Sequence, residues 1–131
     1  MKILFDTQVA LWAWSLPERI PKNLRTSIIE PENDVFFSQV STWEIQIKYG
    51  LGKLPLPERP EKFLPTAIQR SGFNYLPIHD AAIYLLDRLP PYHRDPFDRL
   101  LVAHSITGNY HLATVDQQIL QYPALICPGS E

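Results

Sequence analysis

The chain has 131 residues, 45% of them apolar, 20% charged and 11% aromatic, a composition that fits one globular domain and excludes fibrous and disordered classes. Lys and Arg total 12 against 14 Asp and Glu, a formal charge of -2, so the broad basic footprint of a protein that grips nucleic acid by charge alone is missing. The single cysteine, Cys127, excludes an internal disulfide and fits a reducing compartment. The first residues reach an acid at Asp6 before any signal-like apolar run, and the uncharged stretch that follows, 7–17, is too short and too polar to span a bilayer. A soluble, cytoplasmic protein is the expectation.

In chain order, the apolar run 3–5 is too short for a helix and runs straight into Asp6 and Thr7, which reads as a buried parallel strand. Helical patterns follow at 8–15 and 21–30, then a second strand at 35–37. A helix is predicted over 42–49, closed by Gly50, and another over 58–70, ended by Gly72 and expected to be kinked or shortened by Pro65. Between them, 52–60 carries three prolines and reads as a joint or arm. Strand 73–78, helix 80–89 stopped by Pro90 and Pro91, and helix 96–107 closed by Gly108 come next. Strand 111–115, a turn near 117–121 and a fifth strand at 124–127 complete the series. Alternation of this kind predicts a single α/β domain over 1–131, with a mostly parallel sheet covered by helices on both faces.

In open parallel sheets ligands gather at the carboxyl ends of the strands, and Asp6 and Asp116 fall directly after two of the apolar runs. Two further acids start helices. Ser41-Thr42-Trp43-Glu44 fits a capping box, and Asp95-Pro96-Phe97-Asp98 fits a cap, a first-turn proline and an acid at the positive end of the helix dipole. Capping alone accounts for any one of these acids. Their coincidence at one sheet edge is what points further, because clustered carboxylates repel unless a cation sits among them, and all-oxygen sites suit Mg²⁺ or Mn²⁺. The four histidines, His79, His93, His104 and His111, have no zinc-ligand spacing and read as structural or solvent-facing. The chain carries no P-loop, no GxGxxG and no GxSxG.

Four segments together carry a family likeness: the opening Met-Lys-Ile-Leu-Phe-Asp6-Thr7; Ser38 through Ile45, with Lys48 and Gly52-Lys53-Leu54; His93-Arg94-Asp95-Pro96-Phe97-Asp98-Arg99-Leu100-Leu101; and Ala113-Thr114-Val115-Asp116. In this order and spacing they resemble PIN-domain proteins of the VapC toxin kind. The resemblance implies a three-layer sandwich around a five-stranded parallel sheet, and a Mg²⁺- or Mn²⁺-dependent ribonuclease acting as the toxin of a type II toxin-antitoxin pair. It assigns catalytic and metal-holding roles to Asp6, Glu44, Asp98 and Asp116, with Asp95, Thr7 and Thr114 in support. It also implies an antitoxin partner and a homodimer. Where many relatives have His after Asp-Thr, this chain has Gln8, which hydrogen-bonds but does not titrate near neutral pH.

Arg94, Arg99, Lys48 and Lys53 flank the acidic segments and are candidate phosphate contacts, against the plainer reading of surface charge. Trp12, Trp14 and Trp43 lie in apolar helical settings that favour core or interface burial over base stacking. Apolar residues of the early helices, Leu11, Trp12, Trp14, Leu24, Ile28 and Ile29, exceed what a small sheet needs and suggest a partner surface. Competing functions are a PIN-type nuclease without a toxin role, a non-catalytic interaction module whose acids cap helices, and a receiver-type phosphoacceptor. The last lacks an adjacent acid pair after the first strand.

Overall fold

The computed structural model describes residues 1–130. Its centre is a parallel sheet built from β1 (Lys2–Phe5), β2 (Asp34–Ser38), β3 (Asn74–Leu76) and β4 (His111–Ala113), ordered β3-β2-β1-β4. β1 takes a central place, with Ile3 opposite Val35 on one side and His111 on the other. Ile3, Leu4 and Phe5 are wholly buried, as a strand covered on both faces requires.

Because side chains alternate along a strand, β1 feeds two cores. Ile3 and Phe5 join Val9, Ala10, Leu24, Phe37 and Leu64 on one face. Leu4 and Leu112 join Ala82 and the 100–103 stretch on the other. The first layer is formed by α1 (Thr7–Ser15), α2 (Lys22–Ile29) and α4 (Pro60–Ser71), and the opposite one by α5 (Asp80–Leu85) and α6 (Pro96–Gly108). Helix α3 (Gln39–Gly50) sends Ile45 into one core and Val40 into the other, so it stands at the sheet's carboxyl end. The result is the expected α/β sandwich.

Several boundaries differ from the sequence reading. Among the described residues the fifth strand shrinks to one parallel bridge, Leu112 with Ile126. Leu112 donates to the Leu125 carbonyl at 2.8 Å and Cys127 donates to the Leu112 carbonyl at 3.0 Å. Pro123 and Pro128 bracket this segment and have no amide to extend the ladder. Gly129 then turns with φ 98°, and a Cβ there would lie 2.2 Å from the Leu24 amide nitrogen, so only glycine fits against α2. Helix α4 continues past Pro65 to Ser71 and is not shortened there; Pro65 is exposed, so the Glu61 carbonyl that loses its helical donor can turn to water. Helix α3 starts three residues earlier than predicted, because Ser38 caps it through a hydrogen bond from the Val40 amide.

The surplus apolar surface also lies elsewhere. Leu24 is buried, and Leu11, Trp12, Trp14 and Ile28 pack against the first core, leaving Ile29 as the exposed member of that set. Trp43, Ile47 and Leu51 are exposed instead, at the i, i+4 spacing of one face of α3. No described helix is long and apolar enough to cross a membrane.

Candidate active site

Parallel pairing of β1 with β4 brings their carboxyl ends level: the Asp6 amide donates to the Ala113 carbonyl at 3.0 Å. Asp6 and Asp116, 110 positions apart, therefore open into one cleft of about 440 Å³ with Glu44, Asp98 and Asp95. Glu44 enters from the second turn of α3, and Asp98 from the first turn of α6. All four predicted catalytic acids are brought together.

Each carboxylate is oriented by neighbours in its own vicinity. Asp6 caps α1, its Oδ1 accepting from the Val9 amide at 2.8 Å, and its Oδ2 accepts from the buried Thr114 hydroxyl. The Thr114 hydroxyl oxygen in turn accepts from the Asp116 amide at 3.0 Å, so one threonine ties the ends of β1 and β4 together. Ser130 braces it, its Oγ accepting from the Thr114 amide at 3.1 Å. Asp116 Oδ1 accepts from the Gln118 and Ile119 amides at 2.8 and 3.3 Å.

Glu44 is held quite differently. The capping box read from Ser41 to Glu44 is not formed, since Ser38 has taken the cap and Ser41 lies inside the helix. The Thr7 hydroxyl, 2.8 Å from Ser41 Oγ, donates to Glu44 Oε1 at 2.7 Å, while Glu44 Oε2 pairs with Lys48 one turn on. Glu44 is 4% exposed, so these contacts offset the cost of burying its charge. Asp95, by contrast, is the predicted cap of α6, accepting from the Phe97 amide at 2.8 Å and the Asp98 amide at 3.4 Å.

The electrostatics show what the cleft lacks. Burial, and then the charges of Asp95 and Glu44, push the Asp98 carboxyl up to about 7. Burial also lifts Asp6 to about 6, although the Thr114 and Val9 hydrogen bonds pull the other way. For Asp116, half-open to water, burial is outweighed by hydrogen bonds from His93 and the two amides, and its pKa is lowered. Lys48, too, is raised: burial disfavours its charge, but Glu44 outweighs that. The donor set is all oxygen, and a carboxylate oxygen already accepting one hydrogen bond keeps a second lone pair. Oxygen donors that repel each other without a cation fit Mg²⁺ or Mn²⁺.

Of the predicted basic contacts, Lys48 and Lys53 line the cleft. Arg94 is exposed and does not line it. Arg99 is committed to the fold: its guanidinium donates to the carbonyls of Pro90 at 3.1 Å and Leu86 at 2.8 Å, and to the Tyr122 hydroxyl at 3.2 Å. Trp43 is 51% exposed, its ring edge-on to Phe97 at 4.9 Å, so of the core or interface burial expected for it the core is excluded.

The sequence reading missed His93. Its Nε2 lies 2.9 Å from Asp116 Oδ2 and 3.1 Å from Asp98 Oδ2, with the side chain only 10% exposed. The available signal was its place two residues before the α6 cap, which sets it at the same sheet edge as the acids.

Comparison with known proteins accords with this geometry. Ribonuclease VapC16 of Mycobacterium tuberculosis (strain ATCC 25618 / H37Rv) is 34% identical over 74 residues, a match spanning 51% of this chain and about half, 52%, of that relative. The crystal structure of VapBC2 from Rickettsia felis bound to a DNA fragment from their promoter superposes with a TM-score of 0.70 over 96% of both chains, at 19% identity, and so shares the fold. The PIN domain family model matches residues 3–125. With that span covering the sheet and every acid of the cleft, the chain belongs to the PIN domain family.

Proposed function

We propose that this chain is a divalent-metal-dependent endoribonuclease, the toxin of a type II toxin-antitoxin pair of the VapC kind. The observation that carries the reading is the convergence of Asp6, Glu44, Asp98 and Asp116 in one cleft, where burial and the neighbouring acids push the Asp98 carboxyl up to about 7. The partial likeness to a ribonuclease supports the substrate class.

Asp6, Asp98 and Asp116, with Glu44, would hold Mg²⁺ or Mn²⁺. An ion held there supplies water activation and neutralises charge developing on the scissile phosphate. Lys48 and Lys53 at the cleft wall attract the RNA backbone, and Glu44, fixed by Thr7, orients the attacking water. Gln8 at the same wall hydrogen-bonds without moving a proton. Attack by water leaves a 5′-phosphate and a 3′-hydroxyl.

Two features support the partners. The Rickettsia felis assembly of like fold is a VapBC complex, which accords with an antitoxin here. The exposed stripe of Trp43, Ile47 and Leu51 is apolar surface suited to a protein contact, including a second copy of this chain. On this reading the protein acts in the cytoplasm, where its RNA substrate would lie.

The test is cleavage of a panel of structured RNAs by antitoxin-free protein with Mn²⁺, Mg²⁺ or EDTA, beside an Asp98→Asn variant purified identically. Metal-dependent cleavage that disappears in the variant is expected. Equal cleavage by both proteins, or cleavage in EDTA, would overturn the reading.

A further inference from the structure

Beside the acidic cleft, the His93 ring stands between two of its acids. His93 Nε2 faces Asp116 Oδ2 at 2.9 Å and Asp98 Oδ2 at 3.1 Å. Ligand atoms of the three residues lie within 4.8 Å of one another, close enough for all three to share one metal ion. Whether the ring ligates or donates depends on which nitrogen carries the proton.

The other side of the ring decides. Nδ1 lies 3.0 Å from the Asp95 amide nitrogen, and an amide N–H only donates, so Nδ1 accepts and carries no hydrogen. The proton is thereby assigned to Nε2, aimed at the two carboxylates. An Nε2 that carries a proton has no lone pair for a metal.

The ring is also held from behind. The His93 amide donates to the Tyr122 hydroxyl at 2.9 Å, and that hydroxyl also accepts from Arg99, which is tied to the Pro90 and Leu86 carbonyls. Tyr122 is buried at 3% exposure. The histidine thus stands on a fixed base between α6 and the segment after β4, and joins an acid from each.

We propose that His93 is a positioning residue that fixes the Asp98 and Asp116 carboxylates by donating from Nε2, and that it is not itself a metal ligand. This rests on the metal-site reading above and adds to it the group that sets the spacing of two ligands. Outer hydrogen-bond partners of this kind typically change metal affinity by about 10- to 100-fold when removed.

Three measurements test it. In metal-free protein, two-dimensional ¹⁵N NMR of the histidine rings should show His93 as the Nε2–H tautomer; the Nδ1–H tautomer would overturn the proposal. With Mn²⁺ bound, pulsed electron paramagnetic resonance should show no directly coordinated ¹⁴N; a strong ¹⁴N coupling that vanishes in His93→Phe would overturn it. By calorimetry, His93→Phe should weaken Mn²⁺ binding about 10- to 100-fold, whereas His93→Gln, which keeps an N–H near the place of Nε2, should retain most of the affinity. Equal affinity in His93→Phe and the parent chain would sink the proposal alone. No Mn²⁺ binding by the parent chain would sink the metal site and the proposal with it.

Discussion

Helices α3 and α6 both deliver an acid to the cleft, and they hold it by opposite means. Asp98 sits in the first turn of its helix, where its own amide is bonded to the cap Asp95, and its carboxyl lies close to other acids with the His93 ring as a side-chain donor at 3.1 Å. Glu44 sits a turn deeper, past the Ser38 cap, and depends on Thr7 from α1 and on Lys48. One acid is therefore under-neutralised and the other is matched. An acid without a counter-charge is the one whose chemistry a cation changes most.

The widest separation between the two should come from neutralising each in turn. Asp98→Asn is expected to lower metal-dependent cleavage on the order of 1000-fold, the scale of several kcal/mol of lost charge stabilisation, while raising the melting temperature of metal-free protein at pH 8. Glu44→Gln should also lose cleavage but gain no stability, since it strands Lys48. A stability gain in both variants, read by thermal melts, would erase the contrast.

Next in size is the coupling of metal to protons. Asp6 and Asp98 have folded pKa values near 6 and 7, above the ordinary carboxylate value. Their contribution to metal-free stability is complete below about pH 4 and is lost as pH rises through those values. His104, buried beside His79 and pushed down to about 4, works with the opposite sign: its contribution is complete above about 6.5 and is lost as pH falls. His104 is common to both arms of a comparison with and without Mg²⁺, so it cancels. The Mg²⁺-induced rise in melting temperature should grow from pH 5 to pH 8; a constant rise would show that the metal does not meet these carboxyls.

Smaller effects divide the two caps. Ser38→Ala and Asp95→Ala should each cost about 1 kcal/mol in urea unfolding. Of the two, Asp95→Ala should also bring the Asp98 carboxyl down toward its ordinary range, because it removes the largest charge acting on it. Least of all, Lys48→Met should cost about 0.3–0.5 kcal/mol, because the lysine end of that i, i+4 pair is 45% exposed.

The alternation of elements and the gathering of the four acids at one sheet edge were legible in the chain, because strand ends and helix starts carry local marks such as Asp after an apolar run, although Glu44 was read a turn too near its helix start. The start of α3 was not, since Ser38 and Ser41 are both competent caps and strand pairing chose between them. Nor was the fate of Arg99 or His93. Leu86 and Pro90 meet Arg99 through the turn between α5 and α6, while Asp116 and Tyr122 become neighbours of His93 and Arg99 only when the segment after β4 folds back across the start of α6. Trp43 reads as apolar in one dimension, yet it stays half exposed on α3, with Phe97 of α6 against its ring.

The placing of β4 beside β1 has a consequence in time. During synthesis, Asp6 leaves the ribosome first, yet Thr114 and Asp116, which complete its surroundings, come more than a hundred residues later. At ribosomal speeds of about 5–20 residues per second, that interval is on the order of ten seconds. The cleft of a growing chain is thus incomplete until residues 111–116 have emerged and paired, so the four acids meet only after most of the domain has been made.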